Sequence, residues 1–273
     1  MKISALIDKK QVVFDTSKVH DISIPLEFNG DQPNTYGVES ASSEAYQTGD
    51  FVGDTRKGGG CNFEQLKLTP HCNGTHTECI GHITNKRFRI HEQLKESLIP
   101  ATLITVHPVN ANSSEDSYKP ELEKQDFLIT KELLEGELTN AAPDFRKALV
   151  IRTQPNNDSK KSRNYIENNP PFFSLEAMRY IVSLGVEHIL VDLPSVDRLF
   201  DDGKLNAHHI FWNIKEESHE ATVNSEFQKT ITEMIYVEDA IKDGNYLLNL
   251  QIAPFQSDAS PSRPLLYPII HKN

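Results

Sequence analysis

The sequence predicts an α/β fold, a single domain built around a mixed β-sheet, on three observations. Residues 148–151 are a short apolar run and residues 186–192 return as a strand after a helical segment, a unit whose right-handed crossover sets the two strands parallel. Residues 246–252 alternate, with Leu248, Leu250 and Ile252 on one face and Asn249 and Gln251 on the other, the pattern of a half-buried strand. No internal repeat or composition break divides the chain, so residues 1–273 read as one domain.

Taken in order, residues 19–26 (VHDISIPL) have the β-branched, short-apolar character of a strand, closed by turn chemistry at Asn29, Gly30, Asp31, Pro33 and Asn34. Residues 29–62 are rich in Asn, Gly, Ser and Asp and end in Gly58-Gly59-Gly60. That reads as a long irregular loop, which in a compact chain is either functional or disordered. Residues 103–106 and 148–151 are short apolar runs bounded by turn residues, the mark of buried strands, with a polar, acidic excursion between them. In the helical segment Ser174 is an N-cap and Glu176 suits the positive end of the dipole. Leu175, Met178, Ile181 and Val182 share a face, and Gly185 stops the helix.

Composition narrows the function. With 28 Lys and Arg against 39 Asp and Glu, the net charge of −11 leaves nothing to neutralise a phosphate backbone, so nucleic acid is excluded as a partner. No run approaches the roughly 18 apolar residues of a membrane span, and charges at Asp8, Lys9 and Lys10 interrupt any apolar signal core, so a cytoplasmic protein is expected. Three cysteines, Cys61, Cys72 and Cys79, are an odd number, which turns attention from disulfides to metal or thiol chemistry.

That chemistry concentrates in residues 70–82 (PHCNGTHTECIGH), where His71, His76 and His82 accompany Cys72, Glu78 and Cys79. Every common side-chain ligand of a borderline divalent metal is present. If residues 76–78 run extended, His76 and Glu78 point to one face and can share an ion, and Gly74 allows a tight turn that returns His71 or Cys72 towards it. Two other readings of the segment are a structural zinc on Cys72, His76, Cys79 and His82, and a Cys79 or Cys61 nucleophile activated by His82. The first would make the chain a metal-binding protein without turnover. Farther on, His208 and His209 precede bulky apolar residues, and Glu233 sits in a strand-like apolar run, where a metal would offset the cost of burying a carboxylate. Nucleophile-elbow, dinucleotide and phosphate-loop motifs are absent, leaving metal-assisted hydrolysis as the best-fitting reaction class.

The same segment resembles the H-x-G-T-H-x-D-x-P-x-H signature of the metal-dependent cyclase family, which includes bacterial kynurenine formamidase and isatin hydrolase. Residues 21–26 (DISIPL) look like the family's D-x-S-x-P-[IL], residues 191–197 (VDLPSVD) like its D-x-P-S-x-D, and residues 260–264 (SPSRP) like its S-P-x-R. Together these motifs span about residues 21–268. The resemblance implies a mixed-sheet α/β domain with a swivelling β/β/α core and a homo-oligomer, dimer or tetramer. It implies one or two divalent ions held by Cys72, His76, Glu78, His208 and Glu233, with residues 213–228 as an insertion between the last two. The implied activity is hydrolysis of a small-molecule amide C–N bond, N-formylkynurenine being the first candidate, with His82 delivering the proton to the leaving nitrogen and Glu233 helping as a base. Counting back four residues from His76 selects Cys72 as ligand and counting back five selects His71. A thiolate at Cys72 would favour zinc over manganese. Adjacent residues point in different directions, so His208 is expected to ligate and His209 not.

Overall fold

Nine strands make the central sheet of the computed structural model, which describes residues 1–139 and 141–270. In chain order they are β1 (His20–Asp21), β2 (His76–Cys79), β3 (Leu98–Val106), β4 (Ala148–Thr153), β5 (His188–Val191), β6 (Thr230–Glu233), β7 (Gly244–Asn249), β8 (Ala259–Pro261) and β9 (Leu265–Pro268). Across the sheet the order is β8-β2-β6-β5-β4-β3-β7-β9-β1. The central strands β6, β5, β4 and β3 are parallel, and antiparallel strands continue the sheet on both sides. This is the mixed-sheet α/β architecture the sequence predicts. The crossover unit is there in register, Ala148 opposite His188 through Ile151 opposite Val191.

Both faces of the parallel strands are buried, which is why they read as continuous apolar runs rather than alternating ones. Leu149, Ile151, Ile189 and Val191 belong to one core, with Met178 and Ile181 packed there; Ala148, Val150 and Leu190 belong to a second core with Leu103, Leu248 and Leu250. Of four helices, α1 (Pro70–Asn73), α2 (Lys131–Leu138), α3 (Leu175–Ser183) and α4 (Asn206–Phe211), the first and last carry residues of the site and the middle two pack into the first core. Helix α3 is capped as expected, with Ser174 Oγ accepting from the Ala177 N–H, and Gly185 follows its end at φ 75°.

Elsewhere local chemistry differs from the sequence expectation. Of residues 19–26 only His20–Asp21 joins the sheet, because Asp21 Oδ1 accepts from the Ser23 N–H at 3.0 Å, a local bond that competes with the ladder. Residues 29–62 are ordered: Ser42–Ala45 pairs with Glu64–Lys67, and Gln47–Thr48 pairs with Phe51–Val52. The charged break at residues 8–10 belongs to a hairpin, Lys2–Ile7 against Lys10–Asp15, with Asp8 and Lys9 both at positive φ as a two-residue loop requires. Strand β7 stops at Asn249, so Leu248 and Leu250 are buried while Ile252 is only half-buried.

Candidate active site

Strand β2 lies between β6 and β8, in a register that puts His76 opposite Glu233 and Glu78 opposite Ile231. Side chains alternate along it, so Thr77 turns away to meet Thr232 Oγ1 at 2.8 Å while His76 and Glu78 share the other face. At the end of β6 the chain bends at Met234, a non-glycine residue at φ 53°, immediately after Glu233. Helix α4 brings His208 from across the sheet, α1 brings His71, and the turn after β2 brings His82.

These side chains meet around Glu78, which is fully buried. Its Oε1 lies 2.9 Å from His208 Nε2, and its Oε2 lies 3.0 Å from His71 Nδ1 and 3.8 Å from His82 Nδ1. Glu233 approaches from the side, Oε2 at 3.4 Å from His76 Nε2 and Oε1 at 4.0 Å from His208 Nε2. The far nitrogen of three imidazoles is held from behind. His76 Nδ1 donates to the Gly74 carbonyl at 2.9 Å, His208 Nδ1 lies 2.5 Å from Asp197 Oδ2, and His71 Nε2 lies 2.8 Å from Asp258 Oδ2. Such backing fixes ring orientation and tautomer and turns the other nitrogen of each ring to the centre.

Burial alone would favour a neutral His208, but Glu78 and Asp197 outweigh it and hold its pKa well above the ordinary value. The same contest at His71, burial against Asp258 and Glu78, ends with its pKa raised to about 10. Glu78 is held well below the carboxylate range: burial opposes this, and His82 and His208 more than offset it.

A divalent cation fits these residues. Among the described residues His76 Nε2, fully buried, makes no hydrogen bond and faces the Glu233 carboxylate at 3.4 Å, and Glu78 Oε2 has only the His71 and His82 imidazoles beside it, an arrangement that another bound group would satisfy. Among the described residues three donor sets, His71 with His76 and Glu78, His71 with His82 and Asp258, and Glu78 with His82 and His208, each have ligand atoms within 4.8 Å of one another. All the donors are imidazole nitrogens or carboxylate oxygens, suited to a borderline or hard ion.

Of the residues singled out in the sequence, His76, Glu78, His82, His208 and Glu233 converge. Cys72 does not join any of the three donor sets, whereas His71 belongs to two of them. In a single helical turn adjacent residues diverge, and Asn73 turns its Oδ1 back to accept from the Thr69 N–H at 2.6 Å. Cys72 is buried beside the site, its thiol pushed up to about 11 by burial and by Glu233. Cys79 faces the Phe88 carbonyl at 3.6 Å and Cys61 is exposed, so neither thiol stands with the histidines. His209 is buried on another side of α4, its Nδ1 without a partner.

Three further residues at the site carried little signal in sequence. Asp258 stands two residues before the S-P-S-R motif with no neighbouring ligand to mark it. Asp197 reads as a turn residue, which it is, accepting from the Ala207 and His208 N–H groups, but it also backs the His208 ring. Tyr36 comes from the long loop, with burial and the carboxylates of Glu233, Asp201 and Asp197 pushing its phenol pKa up.

The Cyclase family model matches residues 8–198. The chain belongs to the Cyclase family. Family relatives include the kynurenine formamidase of Bacillus cytotoxicus, 27% identical with 91% of this chain and 97% of that protein covered. The kynurenine formamidase of Bacillus anthracis is 28% identical, with 93% and 99% covered. Solved folds of the same shape include isatin hydrolase A from Labrenzia aggregata bound to benzyl benzoate, at a TM-score of 0.59 and 14% identity over 92% of this chain and 93% of that one. Another, described as a predicted metal-dependent hydrolase from Bacillus stearothermophilus, has a TM-score of 0.59 at 17% identity, with 92% and 98% covered.

Proposed function

We propose that this Cyclase-family chain is a metal-dependent hydrolase of amide C–N bonds, acting on an aryl formamide such as N-formylkynurenine. The observation that carries the proposal is the convergence of buried ligand atoms, His76 Nε2 without a hydrogen bond beside the Glu78 and Glu233 carboxylates, with the His71, His76 and His208 rings fixed from behind. The kynurenine formamidases among its relatives and the isatin hydrolase fold support the amide as substrate class. His71, His76, Glu78, His208 and Glu233 would hold one or two divalent ions, zinc the first to test and manganese the second, supplying Lewis-acid polarisation of the scissile carbonyl and acidification of water.

The protein's own groups do the rest. His82 stands between buried Glu78 and a cavity, its side chain 26% exposed and its Nδ1 3.6 Å from Asp258. It delivers a proton to the leaving nitrogen, the task for which imidazole is suited near neutrality. Glu233, anchored through Oε1 by the Val196 N–H at 2.9 Å, turns its other oxygen to the centre, where it accepts a proton from the attacking water. Asp258 positions His71 and His82 together. The proposal includes a homo-oligomeric state, read by analytical ultracentrifugation, and residence in the cytoplasm, where three cysteines stay reduced.

The test is formate release from N-formylkynurenine by metal-replete protein, alongside metal analysis. His82→Ala should lower kcat by roughly 10²- to 10⁴-fold with metal content intact. Unchanged turnover in that variant would remove His82 from the mechanism, and no release of formate and no opening of a lactam such as isatin would remove the hydrolase reading.

A further inference from the structure

A second cavity, of about 340 Å³, opens beyond the carboxyl ends of the parallel strands β4 and β5, where Thr153 and Leu193 line it. Crevices at the carboxyl ends of parallel strands are where α/β sheets receive small ligands, and the volume falls within the range of such sites, about 300–1,000 Å³. No residue of the histidine cluster lines it. The turn at residues 192–197 touches both places: Leu193 lines the cavity, while the Val196 N–H and the Asp197 carboxylate hold Glu233 and His208.

The polar part of the lining carries Lys160, Arg163 and Tyr165, and no Asp or Glu lines the cavity. Asp192, 2.7 Å away, takes up the charge of Lys160. Arg163 has no carboxylate partner among the described residues, although the chain carries a net charge of −11. Its Nη2 donates instead to Asn157 Oδ1 at 3.0 Å and Ser159 Oγ at 2.7 Å, and its guanidinium lies 5.7 Å from the centre of the Tyr165 ring. Tyr165 is 2% exposed, and its hydroxyl has no hydrogen-bond partner among the described residues. Burial and Asp192 push the phenol pKa up against Arg163, so the hydroxyl stays protonated and able to donate. The rest of the lining is apolar. Phe127 is 44% exposed although it opens a strand, Phe127–Ile129, and Pro155, Pro170, Pro171 and Leu193 stand with it.

We propose that this cavity binds a small organic anion, a carboxylate on a flat apolar body, with the carboxylate on Arg163 and the Tyr165 hydroxyl and the body against Phe127 and the prolines. A guanidinium matches a carboxylate with charge-assisted N–H bonds in one plane, and the neutral phenol adds a further donor. A flat ring beside Phe127 gains aromatic contact and loses apolar surface to water. A neutral molecule of the same shape forfeits the charge-assisted bonds, and a carboxylate without the flat body forfeits the apolar contact. The site stands apart from the amide-hydrolase reading, because none of the residues assigned to that chemistry takes part.

The experiment titrates benzoate, benzamide and acetate calorimetrically into the full, metal-replete chain, and soaks its crystals in 4-bromobenzoate, whose bromine is located by anomalous scattering. Benzoate should bind tighter than benzamide and acetate by about 10-fold or more. Arg163→Met should weaken benzoate about 10-fold or more with benzamide little changed, and Arg163→Lys should fall between, since an ammonium keeps the charge and loses the planar fork. Tyr165→Phe should weaken benzoate about 3- to 10-fold, and Phe127→Ala about 5-fold with acetate unaffected. Bromine seated among Phe127, Arg163 and Tyr165 upholds the site. Bromine only at the histidine cluster, no binding of benzoate, benzamide bound as tightly as benzoate, or unchanged benzoate affinity in both Arg163→Met and Tyr165→Phe overturns it.

Discussion

Glu78 and the three imidazoles around it depend on residues that do not themselves face the centre. Asp197 lies 2.5 Å from His208 Nδ1 and also accepts from two backbone N–H groups at the start of α4, so it sets both the ring and the helix that carries it. Asp197→Asn keeps the shape but changes the ring's partner, and should cost roughly 10- to 100-fold in metal affinity or turnover, read by competition with a chelator and by kcat/KM. At the neighbouring choice between residues 71 and 72, His71 is the proposed ligand: its Nδ1 is 3.0 Å from Glu78 while Cys72 stays outside the donor sets. His71→Ala should lose metal on dialysis and Cys72→Ser should retain it, and the reverse result would restore the thiolate. His209→Ala should be mild in the same assay.

At the scale of elements, the turn that follows β2 and carries His82 is constrained by a glycine. A Cβ on Gly81 would lie 2.2 Å from the Phe88 carbonyl oxygen, a backbone atom with nowhere to go. Gly81→Ala should therefore displace the turn that carries His82, lowering Tm and kcat together, whereas His82→Ala should lower kcat alone. Strand β5 opens on His188, whose Nδ1 is 2.8 Å from Thr230 Oγ1 and whose pKa burial pushes down to about 4, with Lys147 assisting and Glu96 opposing. The sign follows from the unfolded chain, which takes up a proton near pH 6.5 that the folded chain refuses until about pH 4. The stability is complete above pH 6.5 and falls as pH drops through that window, by about 3 kcal/mol in the limit. His188→Gln should flatten the dependence of the urea midpoint on pH between 7 and 4, and an unchanged slope would show that His188 is not its source.

For the molecule as a whole, the end of β5 is tied to the loop after β4 by a buried pair, Lys160 Nζ to Asp192 Oδ2 at 2.7 Å, with Asp192 also accepting from the Thr153 N–H and hydroxyl. Lys160→Met leaves that carboxylate unpaired and should destabilise the fold by about 3–5 kcal/mol, measured by urea denaturation. Periodicity and turn chemistry made the central sheet, the capped helix α3 and the parallel crossover legible in sequence, because each is specified by residues within a few positions of one another. The same holds for His76 and Glu78, two residues apart on one strand, and for His82 close behind them. What depends on long-range contact was not legible. Asp258 meets His71 across 187 residues and Tyr36 joins the cavity beside His82 from a loop without periodicity. Residue types alone also left His71 and Cys72 as alternatives, since both are good ligands at a plausible spacing. The sequence by itself determined the α/β class and which kinds of side chain could hold an ion, since local pattern and ligand chemistry need no partner. The tertiary structure decided which of them face Glu78, because the direction of each side chain depends on helix phase and on the distant strand, carboxylate or carbonyl that holds it there.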